Sequence, residues 1–199
     1  MPSKGRFSPS RFKDIMTKGR GKDQPFGLTA FSYADDIVMD ILGVEPEPEY
    51  TSREMQWGID NEFDAVVAYQ AFTGAVVDVP AEVIVSDQLP IAGTPDGLIK
   101  AANGLIEIKC PNNRNHLNNL TREKSQIDLY YWQMQGYMML TGAEWCDFVS
   151  YSPNFPEGLQ LGIHRVERND SDISELTERI QVLWDYVQER VTVLKNKLK

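Results

Sequence analysis

The amino-acid order predicts an α/β fold, a central mixed β-sheet flanked by helices. Three observations carry that expectation. Short β-branched and alternating runs crowd positions 76–110, the pattern of strands rather than helices. Apolar stripes at helical spacing stand on both sides of that block. Finally, 42% hydrophobic and 25% charged residues in a chain of 199 suit one globular domain whose core needs no covalent staples.

The elements follow in order. Ser8-Pro9-Ser10-Arg11 starts a helix, with Ser8 as cap and Pro9 in the first turn. It is expected to run to Lys18, stop at Gly19, and give way to a basic loop over 20–27. Residues 1–28 thus form a basic amino-terminal helix and loop of a single 1–199 domain. A second helix over 30–42, capped by Thr29 and ended by Gly43, shows Ala34, Ile37, Val38, Ile41 and Leu42 on one face. Glu45-Pro46-Glu47-Pro48-Glu49 is an extended linker, because proline and its preceding residue avoid the helix. A third helix over 52–72 aligns Met55, Gly58, Ile59, Glu62, Ala65, Val66 and Tyr69, and Gly74 ends it. Glu62 interrupts that apolar face; an inward carboxylate is costly unless a cation, a donor or a metal meets it. A place at the stripe's edge, reaching solvent, is the alternative.

Residues 76–79 and 82–85 read as one bent strand or a pair. Residues 91–96, 98–101 and 105–110 read as strands of the sheet, with Ala102-Asn103-Gly104 as a turn and Pro111 as a stop. Residues 112–119, rich in Asn and without periodicity, read as a loop that puts His116 on the surface or against a phosphate rather than on a metal. A fourth helix over 125–140 has two faces. Ile127, Tyr131, Met134 and Met138 are to pack the sheet; Gln126, Tyr130, Gln133 and Tyr137 form a polar-aromatic face that lines a site or, the simpler reading of the pattern alone, is amphipathic surface. Strands over 147–152 and 159–167 follow. A last helix, capped by Asp170 or Ser171 and filling 171–199, carries Ile173, Leu176, Ile180, Leu183, Val187 and Leu194.

Composition excludes several classes. Two cysteines, Cys110 and Cys146, exclude a disulfide framework and a four-cysteine metal site. No apolar run approaches a membrane span and no signal peptide is expected, so the expected location is the cytoplasm. A net charge of −9 is unlike a protein that grips phosphates. The basic residues are, however, biased. Lys4, Arg6, Arg11, Lys13, Lys18, Arg20 and Lys22 share the first 22 positions with Asp14 as their one acid, and Arg114, Arg122 and Lys124 form a second cluster.

The chemistry concentrates between Gly93 and Pro111. In Ile106-Glu107-Ile108-Lys109 the alternation puts Glu107 and Lys109 on one face of a strand and the isoleucines on the other. Asp96 lies between Pro95 and Gly97, where glycine permits a bend that re-aims the carboxylate. Two carboxylates and an ammonium on one small surface suit Mg²⁺, which takes oxygen ligands and keeps several waters. A metal-activated water beside a lysine is a general way to attack a phosphodiester. An ordinary hairpin with solvated charges is the competing interpretation of the spacing.

The residues around this spacing resemble a known family. T-P-D-G-L at 94–98 and G-L-I-E-I-K-C-P at 104–111, M-Q-W-G-I-D-N-E at 55–62 and Y-Y-W-Q-M-Q at 130–135 resemble, in order, the motifs of lambda-type (YqaJ-like) alkaline exonucleases of phage recombination. These belong to the PD-(D/E)xK nuclease superfamily. The resemblance implies a restriction-endonuclease-like core, here a catalytic core over 52–167. It implies a Mg²⁺-dependent 5′→3′ exonuclease, for which Mn²⁺ can substitute, that digests one strand of linear duplex DNA and leaves a 3′ overhang. It also implies a homotrimeric ring around DNA and a single-strand annealing protein as partner. An endonuclease of the superfamily and a catalytically silent DNA-end binding module are the alternatives.

Carried over residue by residue, the resemblance makes Asp96 and Glu107 metal ligands, with the backbone carbonyl of Ile108. Lys109 orients or deprotonates the attacking water and offsets charge on the phosphate. Glu62 and Gln133 complete the site, and Tyr130 stands with them. Met55 aligns with an apolar wedge at the duplex end, or simply belongs to the core. Ser8 and Ser10 match a 5′-phosphate motif and Thr94 a hydroxyl residue before the acid; Arg6, Arg11 and Arg114, from the two basic clusters, are candidate DNA contacts. The family's arginine seven residues before the motif's last serine is replaced here by Ser3, and Lys4 and Arg6 are the nearest cations.

Overall fold

The computed structural model describes residues 3–21, 24–46, 52–121 and 123–198, with 123–126 described for their backbone alone. Lys22, the 47–49 part of the expected linker, Arg122, and the side chains of Lys124 and Gln126 lie outside the described residues.

The predicted first helix is shorter than its sequence suggested. A 3₁₀ turn at Pro9–Arg11 leads into α1 (Phe12–Met16), and Ser8 makes no capping bond to the helix. Tertiary pairing overrides the cap. The Phe7 N–H donates to the Pro90 carbonyl at 2.8 Å, the Ala92 N–H donates to the Phe7 carbonyl at 2.9 Å, and the Ser8 N–H donates to Tyr33 Oη at 2.6 Å. α2 (Leu28–Leu42) starts earlier than expected, at Gly27 rather than Thr29, and ends where Gly43 turns left-handed at φ 81°. α3 (Arg53–Thr73) begins as predicted, with Ser52 Oγ accepting the Met55 N–H at 3.1 Å. Gly74 ends it at φ 71°.

A small antiparallel ribbon, β1 (Ile84–Val85) and β2 (Ala92–Gly93), precedes the main sheet. Residues 76–79 form no strand; Asp78 makes an isolated bridge to Leu98. β3 (Gly97–Ile99) pairs antiparallel with β4 (Gly104–Lys109) across a turn where Asn103 takes φ 51°. After α4 (Asn113–Thr121) and α5 (Glu123–Thr141), β5 (Trp145–Tyr151) lies parallel to β4. β6 (Leu161–Glu167) lies antiparallel to β5, and α6 (Asp170–Asn196) follows, capped by Asn169 rather than by Asp170 or Ser171, since the Asn169 side chain accepts the Ser171 and Asp172 N–H groups. The sheet order is β3-β4-β5-β6, so the sheet is mixed and flanked by helices, as predicted.

The loop expected over 112–119 is a helix, α4. Asn112 starts it, its Oδ1 accepting the Asn115 N–H at 3.0 Å. Its inner face is polar, which is why no hydrophobic period marked it. His116 is fully buried rather than on the surface, bonded to Ser150 Oγ at 2.9 Å and to the Leu159 carbonyl at 2.8 Å. Asn119 Nδ2 donates to the same hydroxyl at 2.9 Å. Polar groups bury at little cost when each finds such a partner.

The two faces of the sheet have separate cores. Ile99, Ile106, Ile108, Val149 and Tyr151 pack on Ala65, Val66 and Tyr69 of α3. Leu105, Cys146, Phe148 and Val166 pack on Met134, Tyr137 and Met138 of α5. A third core joins α1, α2 and α6 beyond α5, and buried Arg179 of α6 stitches it. Arg179 donates to the carbonyls of Ile15 at 2.7 Å and Pro25 at 2.8 Å, which fixes the amino-terminal segment.

That segment leans on α5 at Gly136, where an added Cβ would sit 2.4 Å from the Phe12 ring and 3.1 Å from Pro9. Gly136→Ala is expected to destabilise the protein by about 1–3 kcal/mol through overpacking, measured as a lower urea midpoint.

Candidate active site

The site is built where β4 leaves the sheet. Strand alternation sends Ile106 and Ile108 to the α3 side and Glu107 and Lys109 toward α5. Asp96, in the turn before β3, reaches across. Its Oδ2 accepts the Ile108 backbone N–H at 2.6 Å, which sets the carboxylate beside the strand carrying the other two groups. Glu107 is fully buried. Its Oε1 accepts from Lys109 Nζ and from Gln133 Nε2, the latter at 2.7 Å. Its Oε2 is buried with no hydrogen-bond partner. Lys109 also lies over the Tyr130 ring, 4.9 Å from its centroid, and Tyr130 stacks on Phe148.

The electrostatics follow from this crowding. Burial, then the charge of Asp96, push the Glu107 carboxyl up to about 8, with Lys109 pulling the other way. Asp96 is raised by burial, against Lys109 and the Ile108 N–H. Glu62 is raised by burial and by Asp96. Burial works against the Lys109 ammonium, but Glu107 and Asp96 outweigh it, and its pKa is raised. The four groups therefore form one coupled set that holds more negative charge than its single ammonium can match.

The residues fit a divalent cation. A buried carboxylate oxygen without a donor, beside a second carboxylate, is what a cation satisfies. Among the described residues no three His, Cys, Asp or Glu side chains converge into a complete cage. Two protein carboxylates with retained waters is the usual arrangement for Mg²⁺.

An open groove of about 480 Å³ leads to this cluster, lined by Met55, Glu62, Ile108, Lys109 and Tyr130 among others. The predicted stripe of α3 divides in two along its length. Ala65, Val66 and Tyr69 enter the core, whereas Met55, Ile59 and Glu62 stay exposed and face the groove. The polar-aromatic face of α5 is not surface, as its pattern suggested. Tyr130, Gln133 and Tyr137 press toward β4 and β5, and Tyr137 is buried. Tyr137 is the site residue that pattern reading missed, although its place four residues after Gln133 was the available signal.

The other expected residues lie around this centre. Ser8 and Ser10 share a hydrogen bond of 2.9 Å. Pro9 between them packs against Gly93, where an added Cβ would lie 2.9 Å from the proline ring, so the serines flank the strand that leads to exposed Thr94. Arg6 is half-buried. Arg11 is matched by Asp14 at 2.9 Å and Asp36 at 2.8 Å, and its guanidinium lies 4.0 Å from the Tyr33 ring centroid. Arg114 stands apart, exposed on α4.

Comparison with known proteins identifies the relatives of this chain. The model of the YqaJ-like viral recombinase domain matches residues 3–144. The crystal structure of an alkaline exonuclease, LHK-Exo, from Laribacter hongkongensis is 30% identical, with a TM-score of 0.85 over 98% of this chain and 94% of that one. LHK-Exo in complex with dAMP gives 30% identity and a TM-score of 0.84 over the same shares, 98% and 94%. A phage related exonuclease from Haemophilus somnus shares the fold, with a TM-score of 0.80 at 18% identity over 95% of this chain and 96% of that one. No curated protein sequence matches the chain.

Proposed function

The chain belongs to the family of YqaJ-like viral recombinase domains, and from that premise we propose that it is a divalent-metal-dependent 5′→3′ exonuclease acting on linear duplex DNA. The family and the likeness to alkaline exonucleases support a DNA exonuclease. The observation that carries the finer reading is the orphaned Oε2 of buried Glu107, set beside Asp96 and Lys109 at the end of an open groove.

Asp96 and Glu107 would hold Mg²⁺, or Mn²⁺ in its place, with the Ile108 carbonyl as a further ligand. When bound, the ion supplies Lewis-acid stabilisation of the phosphate and lowers the pKa of water. Gln133 fixes Glu107 through Oε1 and leaves Oε2 for the ion. The raised pKa of Lys109 favours a charged ammonium, which orients the water and offsets charge on the phosphate rather than taking a proton. Glu62, exposed to the groove and raised in pKa, is placed to accept that proton. Ser8, Ser10 and Thr94 flank the entry to Asp96 and suit a terminal phosphate. Arg11 adds little to that pocket, since two carboxylates already match it.

A ring of three copies is part of the same reading. Ile59, Phe63 and Val67, at 62, 74 and 47% exposure, recur every fourth residue along one face of α3, and such an apolar strip favours self-association. A ring retains DNA by topology, which suits a net charge of −9. The 3′ overhang it would leave is a substrate for a single-strand annealing protein, in the cytoplasm of a bacterial host. Among the described residues no helix is long and apolar enough to cross a membrane.

Linear, nicked and covalently closed duplexes, labelled at either end and incubated with Mg²⁺, test the proposal. Loss of linear DNA from its 5′ ends alone is expected. Cleavage of closed circles would make the protein an endonuclease, and no cleavage in any metal would leave an end-binding module.

A further inference from the structure

The groove over Lys109 does not stop at the end of β4. A second depression, of about 750 Å³, adjoins it and shares Glu54, Cys110 and Pro111 as a common wall. Its other walls are Trp57, Arg53 at the start of α3, Arg114 and its asparagine neighbours on α4, and Asn154 between β5 and β6. Asn154 Nδ2 donates to Asn113 Oδ1 at 3.1 Å, which closes the far side.

The arginines here lack the carboxylate partners that several others have. Arg165, Arg168 and Arg190 are each paired with a carboxylate. Among the described residues Arg53 and Arg114 have no such partner, and both are exposed. Glu54 is the one acid on the walls of the depression. Two unmatched guanidinium groups, several amides and an indole form a surface for phosphates and bases.

We propose that this second groove binds the remainder of the strand being digested, on the 3′ side of the phosphate being cut. The inference rests on the exonuclease reading above. An enzyme that removes nucleotides from a 5′ end has only a terminal nucleotide on one side of the cut. A groove extending well past the site must therefore hold the other, long side. Arg53 and Arg114 bind backbone phosphates, and the asparagines and Trp57 meet sugars and bases without selecting a sequence.

The double variant R53A/R114A in the full-length protein tests this. Both side chains are exposed, so the fold is expected to stand. Binding of a linear duplex is measured by anisotropy with Ca²⁺ between 50 and 200 mM salt, on the order of the range where phosphate contacts are read. The slope of log Kd against log salt is expected to fall by about 2, one contact per arginine. With Mg²⁺, KM on long duplex should rise roughly tenfold while kcat holds within about twofold. On a 5′-phosphorylated dinucleotide, which ends before the groove, KM should not move. An unchanged salt slope, or an equal rise in KM on the dinucleotide, overturns the proposal. A native protein that degrades no linear DNA would instead remove the exonuclease reading, and the salt slope would still decide whether the groove binds a strand.

Discussion

Lys109→Ala is expected to cut the rate of phosphodiester cleavage by about 10²–10⁴-fold, the usual scale for removing a positioned proton-handling or charge-stabilising group. Lys109 is the one cation within the cluster formed by Asp96, Glu107 and Glu62. Its amine bonds Glu107 Oε1 while its side chain remains 27% exposed and lines the groove. Removing it takes away the positive charge aimed at the phosphate and leaves mutually repelling carboxylates. Single-turnover kinetics on end-labelled duplex give the rate, and anisotropy should show DNA still bound. Turnover within about threefold of native would remove the lysine from the mechanism.

Glu107→Gln is expected to act in two directions at once. Nuclease activity should be lost, because the amide cannot serve as an anionic ligand. Without metal, however, the variant should be more stable than the native protein at neutral and alkaline pH. Its buried carboxyl, pushed up to about 8, is neutral in the fold over a range where the unfolded chain has already released the proton. From about pH 4.5 to 8 the folded state thus binds one more proton than the unfolded state, and stability falls as pH rises through that window. The amide has no such slope and keeps the bonds to Lys109 and Gln133. Thermal melts from pH 5 to 9 in a chelator should therefore show the native protein losing stability and Glu107→Gln holding it. Adding Mg²⁺ should rescue the native protein alone, most at high pH. Parallel pH profiles for the two proteins would contradict the buried-charge assignment.

Much of the sheet and several helix ends were legible in the sequence because they depend on local chemistry. Ser52, Gly43, Gly74 and Asn103 each set a cap or turn through their own backbone preferences. The alternation at 106–109 correctly separated Glu107 from its isoleucine neighbours. Errors arose where distant partners decide. α4 is held by His116 and Asn119 bonding to a serine more than thirty positions away, and hydrophobic periodicity carries no trace of such a bond. Gln133 and Tyr137 look like surface on a helical projection, because only the fold reveals that a carboxylate waits opposite them. Arg53 and Asn154 left no signal, since an unpaired surface arginine and a loop amide are ordinary until a groove joins them.

The Arg179 clamp has a consequence for how the chain matures. The segment bearing Ser8 and Ser10 is made well before the guanidinium that ties down Ile15 and Pro25, which comes more than 150 positions later. A nascent polypeptide emerging from the ribosome must leave this segment unsettled until α6 arrives. Incomplete translation products would lack an anchored leading end, so a truncated copy should be a poor nuclease even with Asp96, Glu107 and Lys109 intact.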